Sequence, residues 1–424
     1  MRVAPSSAFG PPSPGGGRNF WLGVYNGILI NGAEAFFHSS LVLAPFLAQL
    51  GAPAVVIGLI PALRVGGWSL PQLFVAGRLA HEPFKLPWYR RMSLVRVGAF
   101  LFMALSVFLF GHRPDLVVLV TLGMIGVNAV VGGITGVSFA EVTAKVVPHY
   151  RLGTFWALRN AIGGLLALLS GLLLRRMLAS DVPFPTNFGY LFLLGSLLTG
   201  AAYLCFSLVR EPAGKPSQKE PLAKMLGRAL PLLKRDPSFR RYLRVRFLAL
   251  LSLLAEPFYA IYALETLDAP PSILGLFVIL ATLAAIAANF AFRVPANRGA
   301  NVTVFQVSVA LLASAPFLAL VLPSWQSFAL VFMCSAAGQS GMGIASWNLL
   351  YALSPEEGRP LYVGTANTLL SLPSLAPIVA GGLVGAFGFH STFLLACLVA
   401  VSALAFTFRF ASLRILDLQA LAHD

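Results

Sequence analysis

Apolar stretches as long as a lipid bilayer is thick recur along most of this chain, and no aqueous core can absorb so many of them. Crossing the hydrocarbon takes about 20 largely apolar residues in a helix. Such stretches lie at 20–49, 54–77, 92–111, 115–138, 152–178 and 187–209, and again at 242–266, 272–292, 301–322, 325–350, 361–387 and 390–411. A single soluble core stops growing at about 250–300 residues, whereas this chain has 424, 58% of them hydrophobic and 11% charged. A soluble domain has roughly a quarter of its residues charged. Backbone in lipid must satisfy its own hydrogen bonds, which leaves helices or closed barrels. Stretches of this length select helices. The expected class is an all-α membrane protein with twelve transmembrane helices in two pseudo-symmetric six-helix bundles.

The division falls at 210–240, a charged segment with prolines at 212, 216, 221, 231 and 237. Within it Leu222, Met225, Leu226, Ala229, Leu230 and Leu233 recur at helical spacing, with Lys224, Arg228, Lys234 and Arg235 elsewhere around the turn. That pattern predicts an amphipathic helix at the membrane interface. The expected units are a disordered tail over 1–19, a bundle over 20–209, the linker over 210–240, a bundle over 241–413 and a tail over 414–424. Residues 1–19 are rich in Pro, Gly and Ser and lack the apolar segment of a signal peptide.

The net charge of +15 would suggest a polynucleotide partner in a soluble domain. Here the basic residues sit in short links between apolar stretches, which is the positive-inside pattern. With both termini in the cytoplasm, all but four of the 30 Lys and Arg fall on that side or at its span edges. The exceptions are Arg113, Arg175 and Arg176 outside and Arg64 within a span. The chain is therefore expected as a multi-pass protein of the cytoplasmic membrane, monomeric, in contact with lipid and without nucleic acid. The three cysteines (Cys205, Cys334, Cys397) lack metal-ligand spacing, and His81, His112, His149 and His390 fall in links or span ends. No metal or cofactor is implied. Asn301-Val302-Thr303 fits a glycosylation acceptor, but the topology puts it on the cytoplasmic side.

The halves echo each other. Pro148…Arg151 before span five matches Pro355…Arg359 before span eleven, and Phe20 to Glu34 in span one matches Tyr242 to Glu256 in span seven. Each half carries one glutamate at the same depth of its first helix. Internal repeats of this kind place substrate at the interface between them.

A polar side chain in hydrocarbon costs several kcal/mol unless it faces protein or water, so intramembrane polarity marks the wet surface. Asn26, Asn31, Glu34 and His38 lie in span one, Arg64 and Gln72 in span two, Asn128 in span four and Asn160 in span five. Glu256, Asn289, Gln339, Asn348 and Asn367 follow in spans seven, eight, ten and eleven. Within spans three, six, nine and twelve only Gln306 is found, so every third helix is expected to be lipid filler. Asn31, Glu34 and His38 share one helical face, as do Ser252, Glu256 and Tyr259. Arg64 sits at the depth of Glu34. These positions predict a cavity lined by Asn31, Glu34, His38, Arg64, Asn128, Glu256, Tyr259 and Gln339. Glu34 and Arg64 would form an exchangeable ion pair, and Glu34 and Glu256 would carry protons, since a desolvated carboxyl has its pKa raised. The alternative is a permanent pair that fixes the packing of helices one and two, with Glu256 bonded to Ser or Tyr neighbours. The glycines of span four (Gly123, Gly126, Gly133, Gly136) are expected to admit close helix approach.

Gly77-Arg78-Leu79-Ala80-His81-Glu82, followed by Lys85, Arg90 and Arg91, resembles the Gly-x-Leu-Ala-Asp-Arg-x-Gly-Arg-Arg loop between spans two and three of the major facilitator superfamily. The Pro…Arg turns before spans five and eleven are similar to that family's as well. His81 stands where the family has aspartate, Glu82 where it has the first arginine, and the following glycine is missing. The resemblance implies that spans one, four, seven and ten line a cavity, that two, five, eight and eleven gate it, and that the rest face lipid. It also implies gating roles for Arg78, Glu82, Arg151 and Arg359, with Glu82 or other contacts replacing the aspartate. Signatures of the drug–proton antiporters, an arginine early in span four and a Gly-Pro pair in span five, are missing.

The function expected is secondary active transport of a small organic solute by alternating access, with protons as a candidate coupling ion. There is no phosphate-binding Gly-x-x-x-x-Gly-Lys-Ser/Thr loop, so a gradient would supply the energy. A non-transporting scaffold or sensor on the same fold, and a polytopic membrane enzyme, are the alternatives. The enzyme would require clustered acidic or His residues at a membrane edge, and the sequence shows none with a partner.

Overall fold

The computed structural model describes residues 16–80, 82–214, 231–355 and 359–408, and all regular structure among them is helical. The helices are α1 (Gly16–Phe36), α2 (Ala44–Gln49), α3 (Ala54–Ala80), α4 (Leu86–Phe110), α5 (Pro114–Val146), α6 (Leu152–Leu178) and α7 (Thr186–Ser207), then α8 (Pro237–Leu251), α9 (Glu256–Glu265), α10 (Ile273–Asn297), α11 (Asn301–Val321), α12 (Ala329–Leu353), α13 (Arg359–Leu370) and α14 (Ala376–Phe408). Ten helical stretches among the described residues are long and apolar enough to cross a membrane, and Ala54–Ser69 is a shorter apolar one. The chain is a multi-pass integral membrane protein.

Several helices outrun their apolar stretches. α1 begins at Gly16, inside the segment expected to be a disordered tail, because Asn19 pins it: its amide donates to the Arg210 carbonyl and accepts the Arg210 N–H, both at 3.0 Å. α5 runs to Val146, with Lys145 in its last turn, where a cation meets the negative end of the helix dipole. The expected linker helix falls largely outside the described residues, and so does the tail over 414–424. Asp236 caps α8 by accepting the Phe239 N–H at 2.9 Å.

Three spans are broken partway. α1 stops at Phe36, His38 is extended, and a wide turn over Ser39–Leu43 leads into α2. A tight turn over Ser252–Ala255 separates α8 from α9, and another over Leu372–Leu375 separates α13 from α14. Prolines at 45, 257 and 377 stand second in the helices that follow these breaks, where their missing N–H costs nothing. The stretch Leu361–Phe408 is 48 residues long and reverses backbone geometry at Gly388 (φ 77°, ψ 177°), a conformation open to glycine.

In lipid, helix association rests on packing and hydrogen bonds, so the distribution of packed side chains shows where the bundle is tight. Within α1–α7 the extensive contacts are α4 with α5 and α7, α3 with α5, and α1 with α6 and α7. Within the later helices they are α11 with α12 and α14, α10 with α12, and α8 with α14. Across the two sets, α3 packs on α14, α6 on α10, and the Ser39–Leu43 turn with α2 on α9. The buried apolar residues form one large cluster that draws on both sets, from Leu41–Leu47, Ile57, Phe100 and Phe192 to Tyr259, Phe277, Phe332 and Phe393. Two smaller clusters stay separate. One holds Phe20, Tyr89, Val142, Phe155 and Phe206, and the other Phe239, Tyr242, Phe305, Met342 and Tyr362. The molecule thus has a common core at the end carrying Leu50 and Ile273, and two unconnected cores at the end carrying Leu86 and Phe239.

Candidate functional site

Between the two separate cores opens a cavity of about 700 Å³. Asn31, Glu34, His38, Arg64 and Asn160 line it from one side, and Glu256, Asn289 and Gln339 from the other. The common core forms its floor.

The break in span one builds the centre of this site. Ending α1 at Phe36 frees the Phe37 carbonyl, an orphan acceptor at mid-membrane depth. Arg64, from α3, donates to that carbonyl at 2.7 Å, to Ser39 Oγ at 3.0 Å and to Glu34 Oε2 at 2.6 Å. One guanidinium therefore neutralises the glutamate and satisfies the broken helix. His38 Nδ1 accepts the Leu41 N–H at 3.3 Å, capping the turn. Asn31 donates to Gly27 O at 2.8 Å, turning its amide along its own helix.

Across the cavity, Glu256 starts α9 after the break in span seven. Gln339 Nε2 donates to Glu256 Oε1 and to Ser335 Oγ, both at 3.2 Å. Among the described residues no cation lies within ion-pair reach of Glu256.

Other expected residues sit elsewhere. Tyr259 is 2% exposed and packs against Phe328, Phe332 and Phe393 in the common core, away from the cavity wall. The break at Ser252–Ala255 spoils the continuous helical register that put Tyr259 and Glu256 on one face. Ser252 is turned to Ala249 O. Asn26 is buried and donates to Ala202 O at 2.8 Å. Asn348 bonds Asn301 at a span end. Asn128 lines a second cavity of about 300 Å³ within the first set of helices, together with Glu34, Arg64, Trp68, Phe100 and Arg96.

Arg96 is the residue the sequence reading misplaced. Set at the edge of span three as a cytoplasmic charge, it stands about two fifths of the way along α4 and turns inward. It donates to Asn128 Oδ1 at 2.9 Å and Thr135 Oγ1 at 3.2 Å. Span three is therefore not inert filler. Arg159, counted as a cytoplasmic charge, is also buried (8% exposed): it donates to the Gly23 carbonyl and Asn26 Oδ1 and lies over the rings of Phe139, Phe155 and Trp156. For Arg159 the Phe155-Trp156 pair just ahead of it was the available signal, whereas the rings beside Arg96, Trp68 and Tyr203, come from other helices.

Of the residues expected to gate, Glu82 is exposed and its carbonyl accepts from the Lys85 ammonium. Arg151 lies over the Phe20 ring at 4.2 Å. The side chains of Arg78 and Arg359 lie outside the described residues. Glu211, which the sequence did not single out, does the tying: its carboxylate accepts Lys85 and Leu86 N–H at the start of α4 and pairs with Lys145 Nζ at 2.6 Å. Of the span-four glycines, Gly132, Gly133 and Gly136 press on Trp68, whereas Gly123 meets nothing.

No family model matches the chain. An uncharacterized protein of Mycobacterium tuberculosis and one of Mycobacterium bovis are each 25% identical over 273 residues, 62% of this chain. The match spans about half of those proteins' own length (52%). Among solved structures, the nucleoside transporter NupG superposes with a TM-score of 0.75 at 11% identity, over 93% of this chain and 100% of that one. A D-xylose–proton symporter gives 0.67 at 12% identity over 93% and 97% of the two chains. A bacterial homologue of the iron transporter ferroportin, in an inward-facing state, gives 0.68 at 14% over 93% and 99%. The chain has the fold of these transporters, the major facilitator fold.

Proposed function

We propose that this chain is a secondary active transporter that carries a small organic solute across the cytoplasmic membrane by alternating access, and that the structure is its inward-open state. One observation carries the reading: the buried residues form one core across both sets of helices at one end and two separate cores, with a cavity between, at the other. A protein that only needed to be stable would pack both ends. A protein that exposes one site to each side in turn must be able to part either end.

The closed end supports this reading. A Cβ on Gly58 would collide with the Pro377 carbonyl, and one on Gly381 with the Ala54 carbonyl. The backbones of α3 and α14 therefore touch directly at this crossing. The sequence topology adds the finer statement. Gly17–Gln49 and Pro237–Glu265 each cross once despite their breaks. At about 1.5 Å per residue the 48-residue stretch Leu361–Phe408 is about 70 Å long, enough for two crossings that reverse at Gly388. With Ala54–Ser69 this makes twelve crossings in two six-helix bundles, with both termini on the cytoplasmic side by the Lys/Arg bias.

In this reading Asn31, Glu34, His38, Arg64, Asn160, Glu256, Asn289 and Gln339 surround the solute, and Glu34 and Glu256 exchange protons with it. Glu34 is held by Arg64 until solute or proton displaces it. Glu256, facing the cavity with only an amide for company, is the better placed to load a proton. The Glu211–Lys145 tie replaces the missing aspartate of the loop after α3.

The test is cysteine accessibility, which requires no knowledge of the solute. With the three native cysteines removed, a cysteine at Asn289 should react with a membrane-impermeant maleimide from the cytoplasmic side. One at Ala263, buried in the common core, should react from the opposite side, and only when the cavity has switched. A cysteine at Ala263 that never reacts, under any gradient, would exclude alternating access.

A further inference from the structure

We infer that the transported solute carries a carboxylate, and that this group docks in the chamber within the first six helices, on Arg96 and Arg64. The inference rests on the transport reading and names its substrate class.

The chamber holds about 300 Å³ and shares Glu34, Arg64 and Val65 with the wall of the central cavity. The Glu34–Arg64 pair thus stands at the boundary between the two spaces. Two guanidinium groups line the chamber against a single carboxylate, Glu34. Glu34 is committed to Arg64 at 2.6 Å. Arg96 is left with neutral partners: Asn128 and Thr135 accept from it, and Trp68 and Tyr203 lie 5.9 and 5.1 Å from its guanidinium carbon. Among the described residues no carboxylate lies within ion-pair distance of it, and Glu34 acts on it only from across the chamber.

A cation at this depth without a counter-charge is costly. Arg159 bears that cost with its hydrogen-bond and ring partners packed around it. Arg96 instead lines an open space: Asn128 Oδ1 takes its Nε–H and one Nη2–H and Thr135 Oγ1 takes one Nη1–H, which leaves one N–H on each terminal nitrogen for a ligand. A planar carboxylate matches such a fork. Trp68, Phe100 and Ile125 complete the walls, so the carboxylate would be attached to an apolar or aromatic body. When the anion arrives it competes with Glu34 for Arg64, which would open the boundary pair as the solute binds.

The experiment titrates the purified full-length protein in detergent with benzoate, and with benzamide as its uncharged counterpart, and follows thermal unfolding. Benzoate should raise the melting temperature in a saturable way and benzamide should not. Arg96→Gln should weaken benzoate binding about 10- to 100-fold, the worth of a charged hydrogen-bonded contact, and Arg96→Lys should keep much of it. Ala129→Leu fills the chamber without touching a charge and should abolish the benzoate effect in a protein that still folds. Equal effects of benzoate and benzamide, or undiminished benzoate binding in Arg96→Gln and Ala129→Leu, would overturn the assignment. Failure of the transport reading looks different: benzoate would bind in an Arg96-dependent way while no carboxylate crossed proteoliposome membranes. Flux of uncharged solutes indifferent to Arg96→Gln would remove the chamber assignment and leave transport standing.

Discussion

Gly58 is where a single methyl group should shift the conformational balance of this protein. Its Cβ would lie 2.8 Å from Ile378 Cα and nearer still to the Pro377 carbonyl, where ordinary contact begins at 3.4 Å. The obstructing atoms are backbone, so no rotamer change relieves them, and α3 and α14 must separate by about an ångström or more at this crossing to clear the Pro377 carbonyl. Overpacking of this kind costs about 1–3 kcal/mol. The cost is charged only to the state with this end shut, because parting the helices removes the contact. Gly58→Ala should therefore raise the population of the opposite state by about 5- to 150-fold relative to the parent. Maleimide labelling reads this directly. A cysteine at Asn289 should react more slowly from the cytoplasmic side, and one at Ala263 should gain reactivity from the other side. Gly381→Ala, whose Cβ would lie 2.7 Å from Val55 Cα, should act in the same direction. The two together should add less than their sum, since one separation relieves both. Folded Gly58→Ala protein with both labelling rates unchanged would refute the claim that this crossing holds the end shut.

Three further outcomes follow from the geometry. Glu34→Gln and Glu256→Gln should each impair proton-driven uptake in vesicles while leaving the protein inserted; full activity in both would remove the proton-carrier role. Glu211→Ala strips the cap from α4 and the partner from Lys145, both at the end that holds the two separate cores. It should lower stability by about 1–2 kcal/mol, seen as a lower melting temperature of purified protein. Asn26→Leu leaves the buried Arg159 guanidinium without its side-chain acceptor and should cost about 2–4 kcal/mol. The same variant should spare labelling at Asn289, since Asn26 does not line the cavity.

Much of this protein could be read before folding. The apolar stretches, their antiparallel succession, the Lys/Arg bias and the two matched glutamates are local quantities, determined by which residues lipid accepts and at what interval. Glu34 and Arg64 could be paired by depth alone, because a lone charge at mid-bilayer needs a partner and each was the nearest at hand. The same reasoning failed for Arg96, Arg159 and Tyr259. Charges near a span edge look cytoplasmic in a count, yet a long guanidinium can reach inward to aromatic and amide partners from other helices. Tyr259 was assigned by continuous helical register, and the break at Ser252–Ala255 cancels that register. A break of that kind is stable only when neighbours satisfy the freed backbone, as Arg64 does for Phe37 in span one. So the sequence by itself determined that the chain enters the membrane as a succession of apolar segments and which polar groups go with them. Only the tertiary structure decided which of those groups share a cavity, where spans break, and which end of the molecule is shut, because those depend on contacts between residues hundreds of positions apart.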